Sequence, residues 1–255
     1  MKKKILLKLS GKLIDKETFS EMVEDIQTLK NKGIEVALVH GGGKTISHYL
    51  NTQKIESVFI NGLRSTNEEA VKIVEMVLAG LINKQLTRWL NAAKLPAAGV
   101  SGSDCNLIQS IQISEELGFV GEIEKINPQI INILWQNGMI AVVAPTGTNS
   151  EQGCLNINAD VSAGALATAL EVDSLFFFTD AEGVMKNGEK IARLDRTEID
   201  TLIQTGTAKD GMIPKLTACK SAKERGIPQV KVSAWHGRGT LLKLLNSQEL
   251  GTEIT

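Results

Sequence analysis

Apolar and polar residues at the start of the chain follow a pattern that predicts a strand, a helix and a second strand. Ile5 to Leu9 is a short, mainly apolar run, as in a strand. Residues 16 to 31 then carry apolar side chains at helical spacing, at Phe19, Met22, Val23, Ile26 and Leu29. Gly33 ends this helix, and residues 34 to 39 form a second apolar strand. This order is a βαβ unit, which implies a parallel sheet with a right-handed crossover.

The alternation of helices and strands continues to the end of the chain. Helical spacing recurs over residues 46–50, 67–93, 128–136, 158–170, 197–203, 212–226 and 239–246. Further apolar strands are predicted at residues 97–100, 139–144, 172–178 and 230–233. Residues 107–122 predict a β-hairpin excursion, and residues 145–153 a polar loop. We therefore expect an α/β fold: an open, mainly parallel central sheet sandwiched by helices, with β-hairpin excursions and with residues 172–178 at its centre.

Three of the predicted helices begin with residues that are typical of helix caps. Asn127 is expected to cap a helix that has Pro128 at its first position, and Thr197 to Asp200 fits a capping box. Asn158 is expected to cap an alanine-rich helix, with Asp160 in the first turn, where the helix dipole favours a carboxylate. From the local pattern alone, Asn158 and Asp160 could serve only as capping residues.

Composition and charge exclude several classes of protein. The chain has 255 residues, of which 42% are hydrophobic, enough for a large core in one or two lobes. A formal net charge of -1 argues against a nucleic-acid or anionic-membrane partner. Three widely spaced cysteines form no CxxC pair, so neither a disulfide framework nor a zinc site is expected. The first apolar run is too short for a signal peptide and no membrane-length run follows, so we expect a soluble cytoplasmic protein.

Cations and small residues recur at the predicted strand ends, which is where ligands bind in open α/β sheets. Lys8 ends the first strand and precedes Ser10-Gly11, although alone it could equally be a solvated surface lysine. The second strand ends at Gly41-Gly42-Gly43, where backbone N–H groups can approach an anion. A plain tight turn is the other interpretation, and the run matches neither a P-loop nor a dinucleotide fingerprint. Lys209 and Lys215 lie near the start of a later helix.

These residue types favour phosphoryl transfer over other chemistries. The three histidines lie near no GxSxG sequence, and no metal-ligand cluster is apparent. Lysines, backbone N–H groups and one carboxylate can position phosphoryl groups and neutralise their charge. Asp160 is a candidate to orient Lys8 and Lys215. We expect magnesium to arrive mostly with a nucleotide, and we predict no metal-ligating residue.

Six motifs make the chain resemble the amino acid kinase family, and within it the acetylglutamate kinases. They occur in that family's order and spacing and cover nearly the whole chain: Lys8-Leu9-Ser10-Gly11, Val39-His40-Gly41-Gly42-Gly43, Asn61-Gly62-Leu63-Arg64, Asn156-Ile157-Asn158-Ala159-Asp160, Thr179-Asp180-Ala181-Glu182-Gly183-Val184 and Gly211-Met212-Ile213-Pro214-Lys215. The third and sixth motifs separate this branch from carbamate, uridylate and aspartate kinases.

The resemblance implies transfer of the ATP γ-phosphoryl group to the side-chain carboxylate of an N-acylated glutamate, a step in arginine biosynthesis. It implies that Lys8 and Lys215 stabilise the transferring phosphoryl group and that Asp160 holds both lysines. Gly42 and Gly43 would donate backbone N–H groups to the phosphoryl and substrate oxygens.

The resemblance also implies two binding sites. Arg64 would bind the α-carboxylate of the substrate, and Asn156 would contact its acylated amino end. ATP, with Mg²⁺, would be bound by Gly11, Thr179, Asp180, Gly183, Lys209 and Met212.

Some residues depart from the family's usual pattern and leave the acyl group open. Ser10 and Asp210 stand at positions where glycine is usual, and residues 101–106 also differ. The loops near Ser101 and Pro145 are expected to border the acyl pocket, so the substrate could carry a succinyl rather than an acetyl group. Two more hypotheses stay open: a kinase for an N-blocked aminoadipate or for glutamate itself, and a catalytically silent sensor of an amino acid or nucleotide.

The resemblance further implies two lobes and a homodimer. Residues 1–171 would form an N-terminal lobe for acyl-amino-acid binding and dimerisation, and residues 172–255 a C-terminal lobe for ATP. The long apolar stripe of residues 67–93 is expected to join two subunits. The chain starts at its first strand, without the extra N-terminal helix of arginine-inhibited hexamers, so we expect a dimer insensitive to arginine.

Overall fold

An eight-stranded sheet runs through the middle of the protein, in a computed structural model that describes residues 2–151, 153–246 and 249–255. The strands of the described residues are, in chain order, β1 (Lys4–Leu9), β2 (Glu35–His40), β3 (Phe59–Ile60), β4 (Leu63–Arg64), β5 (Ala97–Ser101), β6 (Ile108–Gln112), β7 (Gly121–Ile126), β8 (Ile140–Ala144), β9 (Thr146–Thr148), β10 (Cys154–Asn156), β11 (Ser174–Phe178), β12 (Met185–Lys186), β13 (Glu189–Lys190), β14 (Arg193–Leu194), β15 (Gln229–Ser233) and β16 (Thr252–Ile254).

The central sheet has the strand order β14-β16-β15-β11-β1-β2-β8-β5. All neighbouring strands in it are parallel except β15 and β16. Strands from the first 171 residues form one half of the sheet, and strands from the later residues form the other half. The halves meet where β1 pairs with β11, so the prediction that β11 lies at the centre is confirmed.

Helices cover both faces of this sheet. Within the described residues they are α1 (Lys16–Asn31), α2 (Gly43–Thr52), α3 (Glu68–Glu75), α4 (Asn83–Ala92), α5 (Gln129–Gln136), α6 (Ala159–Leu170), α7 (Arg196–Gln204), α8 (Met212–Glu224) and α9 (Thr240–Leu245). Short 3₁₀ turns occupy Gly11–Ile14 and Asp104–Asn106. The predicted αβα sandwich is confirmed. No helix among the described residues is both long and apolar enough to cross a membrane.

Each face of the sheet has its own hydrophobic core, because successive side chains of a strand point to opposite faces. On β1, Leu6 packs with α5, α6, α7 and α8. Ile5, Leu7 and Leu9 pack instead with α1, α2, α3, α4 and α9. The same alternation places Lys8 on the face of α6 and α8, which decides where its ammonium group can reach.

A second, four-stranded sheet lies beside the first, with the order β10-β9-β6-β7. Its antiparallel pair β6–β7 is the predicted β-hairpin excursion. The prediction of a plain polar loop at residues 145–153 is wrong, because Thr146–Thr148 pairs with Cys154–Asn156 as β9 and β10. Gln152, within that loop, lies outside the described residues. Threonine, glycine and cysteine in such short strands give little apolar alternation to detect.

Three further predictions differ from the structure at helix ends and inside the longest helix. The capping box joins Asp195 and Glu198, not Thr197 and Asp200, with hydrogen bonds of 2.8 and 2.9 Å. Helix α5 begins at Gln129 after Pro128, one residue later than predicted. The predicted helix at 67–93 is continuous, but Met76–Ile82 forms a π-helical segment between α3 and α4. An added residue in a helical turn leaves the apolar spacing nearly unchanged, so periodicity did not reveal it.

Asp25 on α1 accepts hydrogen bonds from the N-terminus of α9, although it lies 214 residues before Gly239, the N-cap residue of that helix. Its side chain is buried on α1, with 5% of its surface exposed. The two carboxylate oxygens accept hydrogen bonds from the backbone N–H groups of Gly239 (2.6 Å) and Leu241 (2.9 Å). A carboxylate at this position satisfies two donors at the N-terminus of α9 and complements the helix dipole.

We expect Asp25→Ala to lower the free energy of unfolding by about 3 kcal/mol, because two charge-assisted hydrogen bonds are lost and two N–H groups are left buried. Chemical denaturation would measure it. The control is Glu24→Ala, which removes only the exposed ion pair with Arg238 and should change the free energy by about 0.5 kcal/mol or less. Equal effects of the two substitutions would contradict this assignment.

Candidate active site

Lys8, Asp160 and Lys215 meet in the interior at the carboxyl end of β1. The Lys8 Nζ atom lies 2.9 Å and the Lys215 Nζ atom 2.7 Å from the same oxygen, Asp160 Oδ1. Each residue has at most 7% of its surface exposed. Asp160 comes from the first turn of α6 and Lys215 from the first turn of α8, the two helices packed on the face to which Lys8 points. The interpretation of Lys8 as a solvated surface lysine is therefore wrong.

The charges of these three groups depend on one another. Burial alone would raise the pKa of the Asp160 carboxyl, but the two ammonium groups outweigh burial and hold its pKa below the usual value. Burial lowers the pKa of the Lys8 ammonium, and nearby Lys215 adds to this while Asp160 opposes it. With all three groups ionised, the cluster carries one net positive charge in a region shielded from water.

Asn158 and Asp160 belong to one short motif but make different interactions: Asn158 caps α6, and Asp160 pairs with two lysines. The Asn158 side chain accepts hydrogen bonds from the backbone N–H groups of Asp160 (2.9 Å) and Val161 (3.2 Å), as predicted for a cap. Asp160 lies in the first turn, but its carboxylate binds two lysines. A role limited to capping is therefore excluded for Asp160.

The glycine run lies beside this cluster, between β2 and α2. Gly41 donates its N–H to the Leu9 carbonyl at 3.1 Å, which joins the ends of the first two strands. At Gly42 a Cβ atom would lie 2.7 Å from Leu78 Cδ2 and 2.8 Å from Ile82 Cδ1, both in the π-helical segment. A side chain at this position would require Leu78 and Ile82 to move, so close packing favours a glycine here.

Arg64 lies next to Gly43, at the end of the glycine run, and contacts four residues. Its guanidinium donates hydrogen bonds to the Gly43 carbonyl (3.1 Å), to Ser47 Oγ (2.9 Å) and to Ser57 Oγ. It also lies 4.5 Å from the centre of the Phe59 ring. Burial lowers the pKa of Arg64, yet a guanidinium stays charged at any physiological pH.

A cavity of about 200 Å³ connects these groups. Among the predicted site residues its lining includes Lys8, Gly42, Gly43, Arg64, Asn156 and Asp160. The Asn156 side-chain amide donates to Thr66 Oγ1 at 3.2 Å, which orients it at the wall. The cavity thus offers two cations, an amide and glycine N–H groups to an anionic ligand.

The six residues predicted to bind a nucleotide lie outside this cavity. Gly11 starts the 3₁₀ turn after β1, and Thr179 and Asp180 follow β11, the strand next to β1. Met212 begins α8, and Lys209 is exposed just before it. Gly183 packs tightly on β16, where a Cβ atom would lie 2.6 Å from Thr252 Oγ1, so packing accounts for this glycine.

The loop before α8 also approaches the hairpin that carries Arg64. Asp210, which replaces a usual glycine, has a left-handed backbone (φ 47°). Its carbonyl oxygen is 2.8 Å from where a Cβ of Gly62 would lie, at the turn of the β3–β4 hairpin that carries Arg64. The β3–β4 hairpin and the loop before α8 therefore touch across the crevice.

The described residues do not form a metal site. Nowhere in that part of the chain do three or more His, Cys, Asp or Glu side chains cluster as metal ligands would. Asp160 lines the cavity, and one of its oxygens already accepts from two ammonium groups.

Two groups of site residues were missed by the sequence analysis. Ser47, Ser57 and Phe59 surround Arg64; Ser47 lies one helical turn after Gly43 and could have been found by that spacing, whereas nothing in the sequence marks the other two. His40 and Asn83 form a buried pair behind the glycine run. His40 belongs to one of the six motifs, but the sequence predicted no role for it.

Comparison with known proteins agrees with this geometry. A model of the amino acid kinase family matches residues 3–232. Acetylglutamate kinase from Campylobacter curvus is 42% identical, over 94% of this chain and 87% of its own length. Acetylglutamate kinase from Bacillus velezensis is 40% identical, over 91% of this chain and 90% of its own.

A solved structure extends the likeness to the whole fold. The crystal structure of smu.665 from Streptococcus mutans UA159 superposes with a TM-score of 0.86 at 26% identity, covering 100% of this chain and 99% of the other. The chain therefore belongs to the amino acid kinase family, beside the acetylglutamate kinases.

Proposed function

We propose that the chain transfers the γ-phosphoryl group of ATP to the side-chain carboxylate of N-acetyl-L-glutamate, giving an acyl phosphate in arginine biosynthesis. The observation that carries this proposal is a pair of buried lysines, Lys8 and Lys215, that share the Asp160 carboxylate. Lys8 and Asp160 line a cavity that also presents Arg64 and Asn156. Relatives named acetylglutamate kinase, 36–42% identical over nearly the whole chain, support the same activity.

The reaction brings two anions together, and the proposed mechanism follows from that. The acceptor carboxylate is already ionised, so no general base is needed. Lys8 and Lys215 stabilise the negative charge of the phosphoryl oxygens as they pass from the nucleotide to the acceptor. Asp160 keeps the two ammonium groups together and limits their repulsion, while the cluster retains one net positive charge for the substrate.

Binding groups around the cavity hold the acceptor in line. Arg64, already oriented by Ser47 and Gly43, pairs with the substrate α-carboxylate. Asn156 contacts the acylated amino end. Gly42 and Gly43 donate N–H groups to the phosphoryl and acceptor oxygens. Because these groups are placed before the substrate arrives, little ordering remains to be done at the reaction step.

The nucleotide occupies the other side of the crevice. Gly11, Thr179, Asp180, Gly183, Lys209 and Met212 line its site, and ATP brings Mg²⁺ on its phosphates. In this proposal residues 1–171 form the lobe for the acyl-amino acid and for dimerisation, and residues 172–255 form the lobe for ATP. The contact between Gly62 and Asp210 joins the two lobes beside the proposed site.

We also propose a homodimer through the helix that spans α3, the π-helical segment and α4. Met76 and Leu81 of the π-helical segment have 61% and 40% of their surfaces exposed. Two large apolar side chains on one short segment are suited to burial against a second subunit.

Steady-state kinetics with two substrates tests which acyl group the preferred N-acylglutamate carries. We expect kcat/KM for N-acetylglutamate to exceed that for N-succinylglutamate by about 10- to 100-fold. The cavity is small, and its cations Lys8 and Arg64 are already used by the reacting groups and the α-carboxylate, so the third carboxylate of the succinyl compound would have no cation to pair with. ADP release with each compound, and with N-acetylaminoadipate and glutamate as further arms, measures this. A preference for the succinyl compound would reassign the substrate, and no ADP release with any acceptor would favour a silent sensor.

Lys8→Ala should lower kcat at least about 100-fold, because one of the two cations that stabilise the transferring group is removed. The matched control is Lys3→Ala, an exposed lysine just before the same strand, which should leave turnover unchanged. Circular dichroism of both variants checks that the fold is retained. Unchanged turnover in Lys8→Ala would remove this residue from the mechanism.

Light scattering should give a mass of twice the 27.6 kDa chain. Leu81→Lys should shift the protein to monomer, because a charge would be buried in the proposed interface. Ile133→Lys, at an apolar residue of α5 that is 44% exposed, is the control and should remain dimeric. A monomeric wild-type protein, or a dimer that tolerates Leu81→Lys, would contradict the interface.

A further inference from the structure

His40 is fully buried next to the glycine run, but it points away from the lysine cluster. It is the last residue of β2 and is 0% exposed. Val36 and Leu38 alternate with it on the strand and pack on the face of α3 and α4, whereas Lys8 points to the face of α6 and α8. His40 therefore cannot contact the reacting groups, and its effect on them must pass through the backbone that follows it.

The hydrogen bond between His40 and Gly41 settles which ring nitrogen carries the proton. Nδ1 lies 3.0 Å from the Gly41 carbonyl oxygen, which can only accept, so Nδ1 is the donor. Nε2 then carries no proton, and the Asn83 side-chain amide nitrogen lies 3.4 Å from it. Burial lowers the pKa of His40 to about 4, so the ring is neutral at physiological pH.

Asn83 is itself fixed in place. Its amide nitrogen donates its two hydrogens to the carbonyl oxygens of Val142 (2.8 Å) and Val100 (3.2 Å), on two neighbouring strands, so its approach to His40 Nε2 is a close packing contact. A Cβ atom at Gly99 would lie 2.0 Å from Asn83 Oδ1, so the side chain fills the space available. Asn83 directly follows the π-helical segment whose Leu78 and Ile82 pack on Gly42. One segment therefore braces both the histidine and the glycine run.

The planar peptide between Gly41 and Gly42 links the position of the Gly41 carbonyl to the direction of the Gly42 N–H. The Gly41–Gly42 peptide is planar and trans, so its C=O and N–H groups point in opposite directions. Because His40 holds the Gly41 oxygen on its own side, the Gly42 N–H is directed away from His40. Gly42 lines the cavity that holds Lys8 and Asp160, and within the described residues its N–H has no backbone acceptor. An N–H group at a cavity wall without such an acceptor is suited to an anionic ligand.

We propose that His40, held by Asn83, is a positioning residue that directs the Gly42 N–H at the oxygens of the phosphoryl group during transfer. The inference rests on the proposed kinase function and names a residue on the opposite face of the sheet from the reacting groups. A donor fixed in advance needs no reorganisation as negative charge develops, so it acts mainly on the transition state.

The test compares variants of the 255-residue chain by steady-state kinetics with ATP and N-acetylglutamate. His40→Leu removes the donor to Gly41 and should lower kcat about 100-fold, with both KM values within about threefold of wild type. His40→Asn, whose amide nitrogen takes the place of Nδ1, should restore most of the lost turnover. His48→Leu, the same change at an exposed histidine of α2, is the control and should behave as wild type.

A second measurement separates positioning from a merely structural role. Affinity for ADP with aluminium fluoride and N-acetylglutamate, which mimics phosphoryl transfer, should fall about 100-fold in His40→Leu, while affinity for ADP alone stays unchanged. If His40→Leu does not fold, His40→Gln replaces it, because its amide reaches the Nε2 position and leaves the Gly41 carbonyl without a donor. It should then be slow where His40→Asn is fast.

Each outcome bears on a different statement. Wild-type kcat in His40→Leu, or a rise in KM with kcat unchanged, overturns the positioning role while the kinase function stands. Equal losses in His40→Asn and His40→Gln also overturn it. A wild-type protein that releases no ADP with any acceptor overturns the proposed function, and the role of His40 in phosphoryl transfer with it.

Discussion

Two buried ammonium groups share one carboxylate, and the arrangement around the cavity depends on that interaction. Either lysine alone, or both without Asp160, would leave charge buried without a partner, which is strongly unfavourable. Asp160 Oδ1 lies 2.9 Å from the Lys8 Nζ atom and 2.7 Å from the Lys215 Nζ atom. Its carboxylate neutralises one of the two ammonium charges, so the cluster keeps one positive charge. It also ties β1 to α6 and α8, so one charged cluster joins elements that are far apart in the chain.

The two faces of the sheet supply different kinds of groups to the same edge. The face of α6 and α8 supplies the charges, through Lys8, Asp160 and Lys215. The opposite face supplies backbone geometry, through His40, Asn83 and the π-helical segment that packs on Gly42. The glycine run lies between them at the end of β2, where both faces can act on one short stretch of backbone. This division is the basis of the proposal that a neutral, buried histidine acts on a reaction that it does not touch.

Helices and strands with strong local sequence signals were predicted correctly. The helix at 16–31 matches α1 residue for residue, because its apolar spacing and the glycine after it agree on its position. The cap at Asn158 and the central strand β11 were also correct. Errors occurred where the sequence signal was weak, or where two neighbouring residues or two kinds of helix give the same signal. Asp195 and Thr197 are both good capping residues two positions apart, β9 and β10 lack apolar alternation, and a π-helical segment does not disturb the spacing of its helix.

The sequence by itself determined the order of the helices and of the buried strands β1, β2, β5, β8, β11 and β15, and therefore the edge of the sheet at which Lys8, the glycine run, Asp160 and Lys215 come together. These features depend on side-chain periodicity and on caps, which are local. Only the tertiary structure decided that Ser57 contacts Arg64, that Gly62 meets Asp210, and that Asn83 reaches His40 from 43 residues away. Such contacts depend on the packing of separate elements, and no local pattern records them.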